Sequence, residues 1–264
     1  MNDIFSGLEN LGFDDLKNLK VYDEAKKQES VQNKVKQVSQ EDFLFDKQVS
    51  CPVCGTSFKT PTYKVNGPRK KGQDTDLFIH YDVVNPYFYD VWVCNSCGYA
   101  AMKADFPKIK SFQKDIILSS ITPKWKGREY PNVIDEKLAI EKYKLALVNA
   151  IYIQAKNSTK AMICLKIAWM HRMLNDKENE LSFLSQALKG FNDAYSTEDF
   201  PIYGMQRYTV MFLIGELSRR TKNYDDAMRW FSQVITTPGV PEKVKNLCRD
   251  CRDLIREELS DSQK

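Results

Sequence analysis

The sequence lacks the motifs that mark the common enzyme classes. It contains no phosphate loop G-x-x-x-x-G-K-[ST], no dinucleotide fingerprint G-x-G-x-x-G, no nucleophile elbow G-x-S-x-G and no zinc-protease motif H-E-x-x-H. Only two histidines are present, His80 and His171, and histidine is the side chain that titrates nearest to neutral pH. No catalytic residue is therefore predicted, and we expect a protein that is not an enzyme and has no small-molecule substrate.

Long apolar runs and a strong net charge are also missing. No stretch approaches the ~20 apolar residues that a transmembrane helix needs, so no membrane partner is predicted. The N-terminus, MNDIFSGLEN, has neither the basic nor the apolar region of a secretory signal, and we expect a cytoplasmic protein. The formal net charge is only +4, which is a weak electrostatic basis for a dedicated nucleic-acid binder.

Cysteines, by contrast, are present in a distinctive pattern. There are seven, an odd number, and four of them form two C-x-x-C pairs, each followed by glycine, at residues 51–55 and 94–98. Each pair can place two sulfurs about 2.3 Å from one tetrahedral ion, and the glycine lets the backbone close under the metal. The pattern predicts one Zn²⁺ per chain in a closed, structural site whose ligands are Cys51, Cys54, Cys94 and Cys97.

Iron is the alternative metal. The aromatic neighbours Trp92 and Tyr99 make the second pair resemble the knuckles of rubredoxin, in which four thiolates hold an iron that transfers electrons. The spacing of the cysteines does not distinguish the two metals. Because rubredoxins are very small and this module is attached to a long helical region, the sequence favours structural zinc.

The remaining cysteines lie in helical patterns. Cys248 and Cys251 share a helix face but have no glycine to form a knuckle, so they are predicted to be buried or half-buried side chains, with a second metal or redox site as the alternative. Cys164 lies on an apolar helix face and is predicted to belong to the core. His80, between two apolar residues of a predicted strand, is expected to be structural.

The order of the patterns predicts an α+β protein that is mostly α. Aromatic and β-branched residues cluster at 42–49, 58–65, 77–83 and 87–93 and predict strands, whereas helical periodicity begins at Asp105. Four regions follow: short helices and a linker at 1–41, a zinc-ribbon-like β module at 42–104, a connecting helix and loop at 105–133, and a helical domain at 134–264. Breaks between helices are predicted at 156–158, 175, 197–201, 222 and 238–241.

The helical domain has features of tetratricopeptide repeats. Gly215, Ala227 and Phe231 have the spacing of one such helix pair, in which small residues allow close approach and the aromatic ring fills the gap. The other copies are imperfect and more widely spaced than the usual 34 residues, which predicts a short, irregular α-solenoid.

The concave side of this solenoid is the predicted site for a protein or peptide partner. The projected residues include arginines that can pair with acidic groups. The alternative is that they are ordinary core and surface residues, since periodicity does not separate core from groove. The projected set is Leu165, Trp169, Arg172, Met173, Phe212, Glu216, Arg219 and Arg220.

A second functional hypothesis is nucleic-acid or ribonucleoprotein binding by the β module. Arg69, Lys70 and Lys71 lie in a Gly/Pro-rich stretch, predicted to be a turn, and aromatic residues follow in the next strands. Basic and aromatic side chains together can bind single strands by charge and stacking. A solvated turn and a ribbon core explain the same pattern.

Two segments and the helices after residue 134 resemble an uncharacterised bacterial family, known as a domain of unknown function. The segments are FLFDKQVSCPVCGTSFKT and NPYFYDVWVCNSCGYAAMKADF. The resemblance implies a four-cysteine zinc-ribbon-like module with a bound metal, followed by tetratricopeptide-like helices. It implies no activity.

Overall fold

The computed structural model describes residues 39–261, in which short strands come first and helices follow. The predicted N-terminal helices and almost all of the predicted linker lie outside the described residues. Six strands form three antiparallel pairs within the described part, and each pair joins strands that are neighbours in sequence. They are β1 (Leu44–Ser50) with β2 (Ser57–Tyr63), β3 (Pro68–Gln73) with β4 (Ile79–Val83), and β5 (Val91–Val93) with β6 (Ala100–Met102).

Two predicted strand features are wrong. Residues 87–93 are not one strand: a short 3-10 helix, Pro86–Tyr89, precedes β5, because Pro86 suits the first helical turn and the side chain of Asn85 accepts a hydrogen bond from the Tyr87 amide at 3.1 Å. The basic residues Arg69 to Lys71 are not a turn but part of β3. Pro68 begins this strand, where proline costs least, and a register shift lies just before Gly72.

The connecting segment also differs from the predicted continuous helix. Asp105 precedes only a short 3-10 helix, Phe106–Lys108, and its side chain makes no capping hydrogen bond. The α-helix α1 (Ser111–Ser120) starts later. Pro107 at the beginning of the 3-10 turn and the extended backbone at Lys110 separate the two elements.

Six longer helices complete the described chain, and each packs against the next one along the sequence. The predicted breaks all lie between or at the ends of these helices, so the α+β, mostly α fold class is confirmed. The helices are α2 (Glu136–Tyr152), α3 (Asn157–Met173), α4 (Lys177–Thr197), α5 (Arg207–Arg220), α6 (Tyr224–Thr236) and α7 (Glu242–Asp261).

Small residues bring neighbouring helices close together. A Cβ atom added to Gly215 in α5 would lie 2.7 Å from the Phe231 ring in α6, and one added to Gly190 in α4 would lie 2.8 Å from the side chain of Ala161 in α3. Gly215 and Phe231 therefore make the contact that their spacing predicts.

Strands and helices share one core in the described part of the chain. Buried Phe78, Val84 and Tyr89 belong to the same apolar cluster as residues of α2 to α5. Polar contacts cross the same boundary: the Tyr143 hydroxyl in α2 donates to the Tyr87 carbonyl at 2.8 Å. Among these residues, no helix has the length and apolar content that crossing a bilayer requires.

Candidate metal centre

The four cysteines of the two C-x-x-C pairs come together at one point. Their Sγ atoms all lie within 4.8 Å of one another. The Cys51–Cys97 and Cys54–Cys94 sulfurs are each 3.7 Å apart. Four sulfurs placed 2.3 Å from a tetrahedral ion are about 3.8 Å from each other, so this arrangement fits a tetrathiolate metal site.

Each pair forms the turn of a hairpin, β1–β2 for the first and β5–β6 for the second. In the first turn the Gly55 amide donates to the Cys51 carbonyl at 2.9 Å, and in the second the Gly98 amide donates to the Cys94 carbonyl at 2.9 Å. Both glycines have positive φ, +75° and +76°. The two knuckles therefore have the same backbone geometry, as their identical spacing predicts.

The two glycines provide a matched pair of substitutions. Gly55→Ala and Gly98→Ala both place a Cβ in the left-handed region, which costs ~1–2 kcal/mol. A Cβ at Gly98 would also lie 2.8 Å from the Trp125 ring, whereas a Cβ at Gly55 meets nothing within 4 Å. We expect Gly98→Ala to lower the free energy of unfolding by ~1–3 kcal/mol more than Gly55→Ala, measured by urea denaturation of the metal-loaded protein. Equal losses of unfolding free energy in the two variants would show that the Trp125 side chain moves away from the added Cβ at little cost.

The sulfurs are too close to remain independent acids. The hydrogen bond with Cys51 is the first cause both of the lowered pKa of the Cys94 thiol and of the raised pKa of the Cys97 thiol. Hydrogen bonds among the sulfurs thus favour the thiolate at Cys94 and the protonated thiol at Cys97. A divalent cation stabilises all four thiolates together, so its binding favours loss of the proton from every thiol.

Aromatic side chains enclose the site. The Phe106 ring contacts the Tyr99 ring at 4.7 Å and the Trp92 ring at 5.6 Å between centroids, and all three side chains are buried. The Tyr99 hydroxyl donates to the Phe106 carbonyl at 3.1 Å. Of the four ligands only Cys54 is exposed. Such a closed set leaves no coordination position for substrate or water, which suits a structural or electron-transfer metal.

The other three cysteines are buried away from this site. Cys248 and Cys251 on α7 are each 0% exposed, and burial raises the pKa of both thiols, that of Cys248 to about 12. Burial likewise raises the pKa of Cys164 to about 11. Within residues 39–261, the four knuckle cysteines form the one group of three or more possible metal ligands.

Several residues of the predicted partner groove contact the loop between β3 and β4, residues 74–78, which we call the acidic loop. Arg172 donates to both carboxylate oxygens of Asp76, at 2.6 and 3.0 Å, and to Asp74 at 2.7 Å. The Trp169 indole N–H donates to Asp76 at 3.0 Å, and its rings stack on Phe78 at 5.4 Å. The helices thus hold an acidic and aromatic segment of their own chain.

A second set of contacts continues this network into α5. The Thr75 hydroxyl donates to Glu216 at 2.5 Å and accepts from Arg220 at 3.1 Å. Glu216 is fully buried and also accepts from Arg219 and Arg220, each at 2.7 Å. Arg219 in turn pairs with Glu258 of α7. The network therefore joins the β module to the last helix.

The projected groove residues lie in different environments. Leu165 and Phe212 are core residues, 1% and 2% exposed, because the helices that carry them are covered on more than one side. Trp169 is also buried, under the acidic loop. Met173 is at the edge, where its sulfur accepts a hydrogen bond from Asn85 at 3.4 Å. The acidic partners Asp74, Asp76 and Glu180 were missed, although the D-T-D sequence between two strands was a visible signal.

Arg172 and Arg220 keep the buried carboxyl group of Asp76 ionised. Burial would raise the pKa of Asp76, but hydrogen bonds and charge from Arg172, together with the charge of Arg220, lower it below its ordinary value. The carboxylate is therefore charged at neutral pH and paired on several sides. This arrangement is stable only while every partner remains in place.

The basic residues proposed to bind nucleic acid are all exposed on β3. Lys71 pairs with Asp82 at 3.2 Å, and Lys70 donates to Gln73 at 2.8 Å. Nucleic-acid binding by this strand stays a prediction. His80 lies on the adjacent strand β4 with its Nε2 2.6 Å from an oxygen of Asp74, and it does not belong to the cysteine cluster.

Comparison with known proteins identifies a family. A family model described as "Uncharacterized protein conserved in bacteria (DUF2225)" matches residues 44–255. No curated protein and no solved structure matches the chain. The match includes both knuckles, the acidic loop and the helices as far as α7. The resemblance seen in the sequence is therefore confirmed, and the chain belongs to this family of conserved bacterial proteins.

Proposed function

We propose that this protein is a non-catalytic, zinc-binding adaptor that holds an acidic segment of a protein partner against its C-terminal helices. The observation that carries the proposal is a groove of about 640 Å³ whose lining includes four basic side chains. These are Lys177, Arg219, Arg220 and Lys222.

The chain's own acidic loop is a precedent for this recognition. Arg219 and Arg220 line the groove and also donate hydrogen bonds to Glu216, which accepts a further one from Thr75 of the acidic loop. The lining also contains three acids, Glu180, Glu258 and Asp261, of which Glu180 pairs with Arg172 outside the groove and Glu258 pairs with Arg219. Lys177 and Lys222 are exposed and have no ion pair within the described residues. They can therefore pair with a partner's carboxylates.

The groove is also suited to an apolar side chain of the partner. Leu181, which is 44% exposed, and buried Leu184 contribute to its lining. A segment with carboxylates beside a leucine or phenylalanine, as in the acidic loop itself, would satisfy both features. The zinc site supports this role indirectly, because a closed tetrathiolate supplies stability rather than chemistry.

The test uses the exposed lysines, because Trp169 and Arg172 cannot be changed without releasing the acidic loop. We expect the double charge reversal Lys177→Glu and Lys222→Glu to reduce recovery of a crosslinked partner at least tenfold, about 1.4 kcal/mol of binding free energy. The measurement is quantitative mass spectrometry after crosslinking in bacterial cells. The matched control is Lys137→Glu with Lys144→Glu, two exposed residues of α2.

The control should recover the same proteins as the unmodified chain. Far-UV circular dichroism must show equal helix content in all three proteins. A partner that is retained by the groove variant, or lost equally in the control, would contradict the proposal.

A further inference from the structure

A separate cavity of about 310 Å³ is lined by residues of β2, the second knuckle, the segment before α2 and α2 itself. This volume is at the lower end of the range that is usual for small-molecule pockets. Its lining combines apolar side chains with basic ones and is distinct from the groove proposed above. The lining residues relevant to the argument are Phe58, Lys59, Val93, Arg128, Tyr130 and Lys142.

Lys142 is the unusual member of this lining. The residue is 3% exposed, yet its ammonium group makes no hydrogen bond or ion pair with any residue in the described part of the chain. Its close contact is the Tyr130 ring, 5.5 Å from Nζ. Burial lowers the pKa of Lys142 to about 8, with the charge of Asp90 acting in the opposite direction. Burying an unpaired cation lowers the stability of the fold, so stability does not explain why a lysine occupies this position.

The surroundings add positive charge instead of cancelling it. Lys59 is exposed at the pocket and has no ion pair among residues 39–261. Arg128 is fixed by Glu141 at 3.0 Å, and its amide donates to the Asn95 side chain at 2.5 Å. Glu129 is the one acidic residue in the lining. The lining therefore has three cations and one anion around a partly apolar space, and Lys59 and Lys142 are the two cations that are not already paired, as Arg128 is with Glu141.

We propose that this pocket binds a small organic anion, with its phosphate or carboxylate paired to Lys142 and Lys59 and its apolar part against Phe58, Val93 and Tyr130. A bound anion would provide the ion pair that Lys142 lacks. The apolar lining would favour a molecule with a ring or short hydrocarbon part over the bare inorganic ion.

The test titrates the metal-loaded full chain with phenyl phosphate and with benzoate by calorimetry, and uses benzamide as the neutral control. We expect one of the two anions to bind with at least tenfold higher affinity than benzamide. The preferred anion identifies the group as phosphate or carboxylate. Lys142→Met removes the charge but keeps an unbranched side chain only one heavy atom shorter, and it should weaken that binding at least tenfold. Lys137→Met, on the exposed side of the same helix, should leave it unchanged.

A second measurement separates a binding role from a packing role. Without added anion, Lys142→Met should raise the thermal midpoint by a few degrees, because an unpaired buried charge is replaced by an apolar group. If Lys142→Met does not fold, Lys59→Met at the exposed rim should still weaken anion binding severalfold. Absence of binding to both anions, equal binding of benzamide, or undiminished binding by the folded lysine variants would overturn the proposal.

Discussion

Substituting Cys97 by serine should abolish metal binding and unfold the region around both knuckles. Cys97 is buried, and its sulfur lies 3.7 Å from that of Cys51. Binding of a structural zinc supplies on the order of 10 kcal/mol to folding of a small metal module. The fully bound chain is expected to contain one metal ion, measured by elemental analysis of untagged protein, and Cys97→Ser should contain none.

The apolar cluster around the site explains why the loss should spread beyond the ligands. Val49, Trp92, Phe106 and Ile117 pack around the cysteines and come from four different elements. No strand ladder joins the two knuckles in the described part of the chain, since each hairpin is a separate two-stranded sheet. Without the metal, no cation stabilises the closely spaced thiolates, so the cysteines cannot all remain ionised. The cluster should therefore open when the metal is removed by chelation, as well as in the serine variant.

Tryptophan fluorescence provides a direct readout of this opening. Trp92 is buried beside Phe106, and the Trp125 indole N–H donates to the Asn95 carbonyl within the second knuckle at 2.7 Å. Both contacts depend on the knuckle's shape, so metal loss should shift the emission to longer wavelength. The matched control is Cys164→Ala on α3, which should retain one metal ion and the original spectrum.

The metal's identity follows from the same sample. A colourless protein containing one zinc ion agrees with the structural role, whereas iron with thiolate charge-transfer bands would favour electron transfer. Full metal content in Cys97→Ser would contradict the assignment of the four ligands.

Local patterns in the sequence predicted the clustering of the four knuckle cysteines and the helices from α2 onward. A C-x-x-C-G turn needs only five consecutive residues to define its backbone, and the same is true of the helix breaks at Asn175 and Lys222, which both adopt positive φ. The 3-10 helix at Pro86 was missed although its signals, Asn85 and Pro86, are local, whereas strand β3 was missed because its form depends on its partner strand. Pro68 and Gly72 are typical of turns, but pairing with β4 places them in a strand.

The acidic loop could not have been placed from periodicity. Trp169 and Arg172 lie on the predicted face, but their partners lie far away in sequence: Asp76 precedes Arg172 by 96 residues. A helix pattern identifies the face without specifying what covers it. The charges themselves were informative, since a buried arginine needs a carboxylate and the D-T-D sequence offers two.

Replacing Asp76 by alanine is expected to cost ~3–5 kcal/mol of unfolding free energy, because it leaves half-buried Arg172 without its bidentate acceptor and the buried Trp169 N–H without any. Urea denaturation of the metal-loaded protein measures this loss. Asp82→Ala on the same hairpin is the matched control. Its partner Lys71 is 64% exposed, and a surface pair of this kind contributes less than ~1 kcal/mol.

The pH dependence of this difference tests whether charge is the cause. Because the pKa of Asp76 is lower in the folded protein than its ordinary value of 3.8, the stability that it contributes is fully present above that value and is lost as pH falls through the lowered pKa. The gap in unfolding free energy between the unmodified chain and Asp76→Ala should therefore narrow in acid. Protonation of the metal ligands affects both proteins and cancels in the comparison. A gap that stays constant down to the lowest pH at which both proteins still fold would assign the loss to packing of the loop instead of to the buried ion pairs.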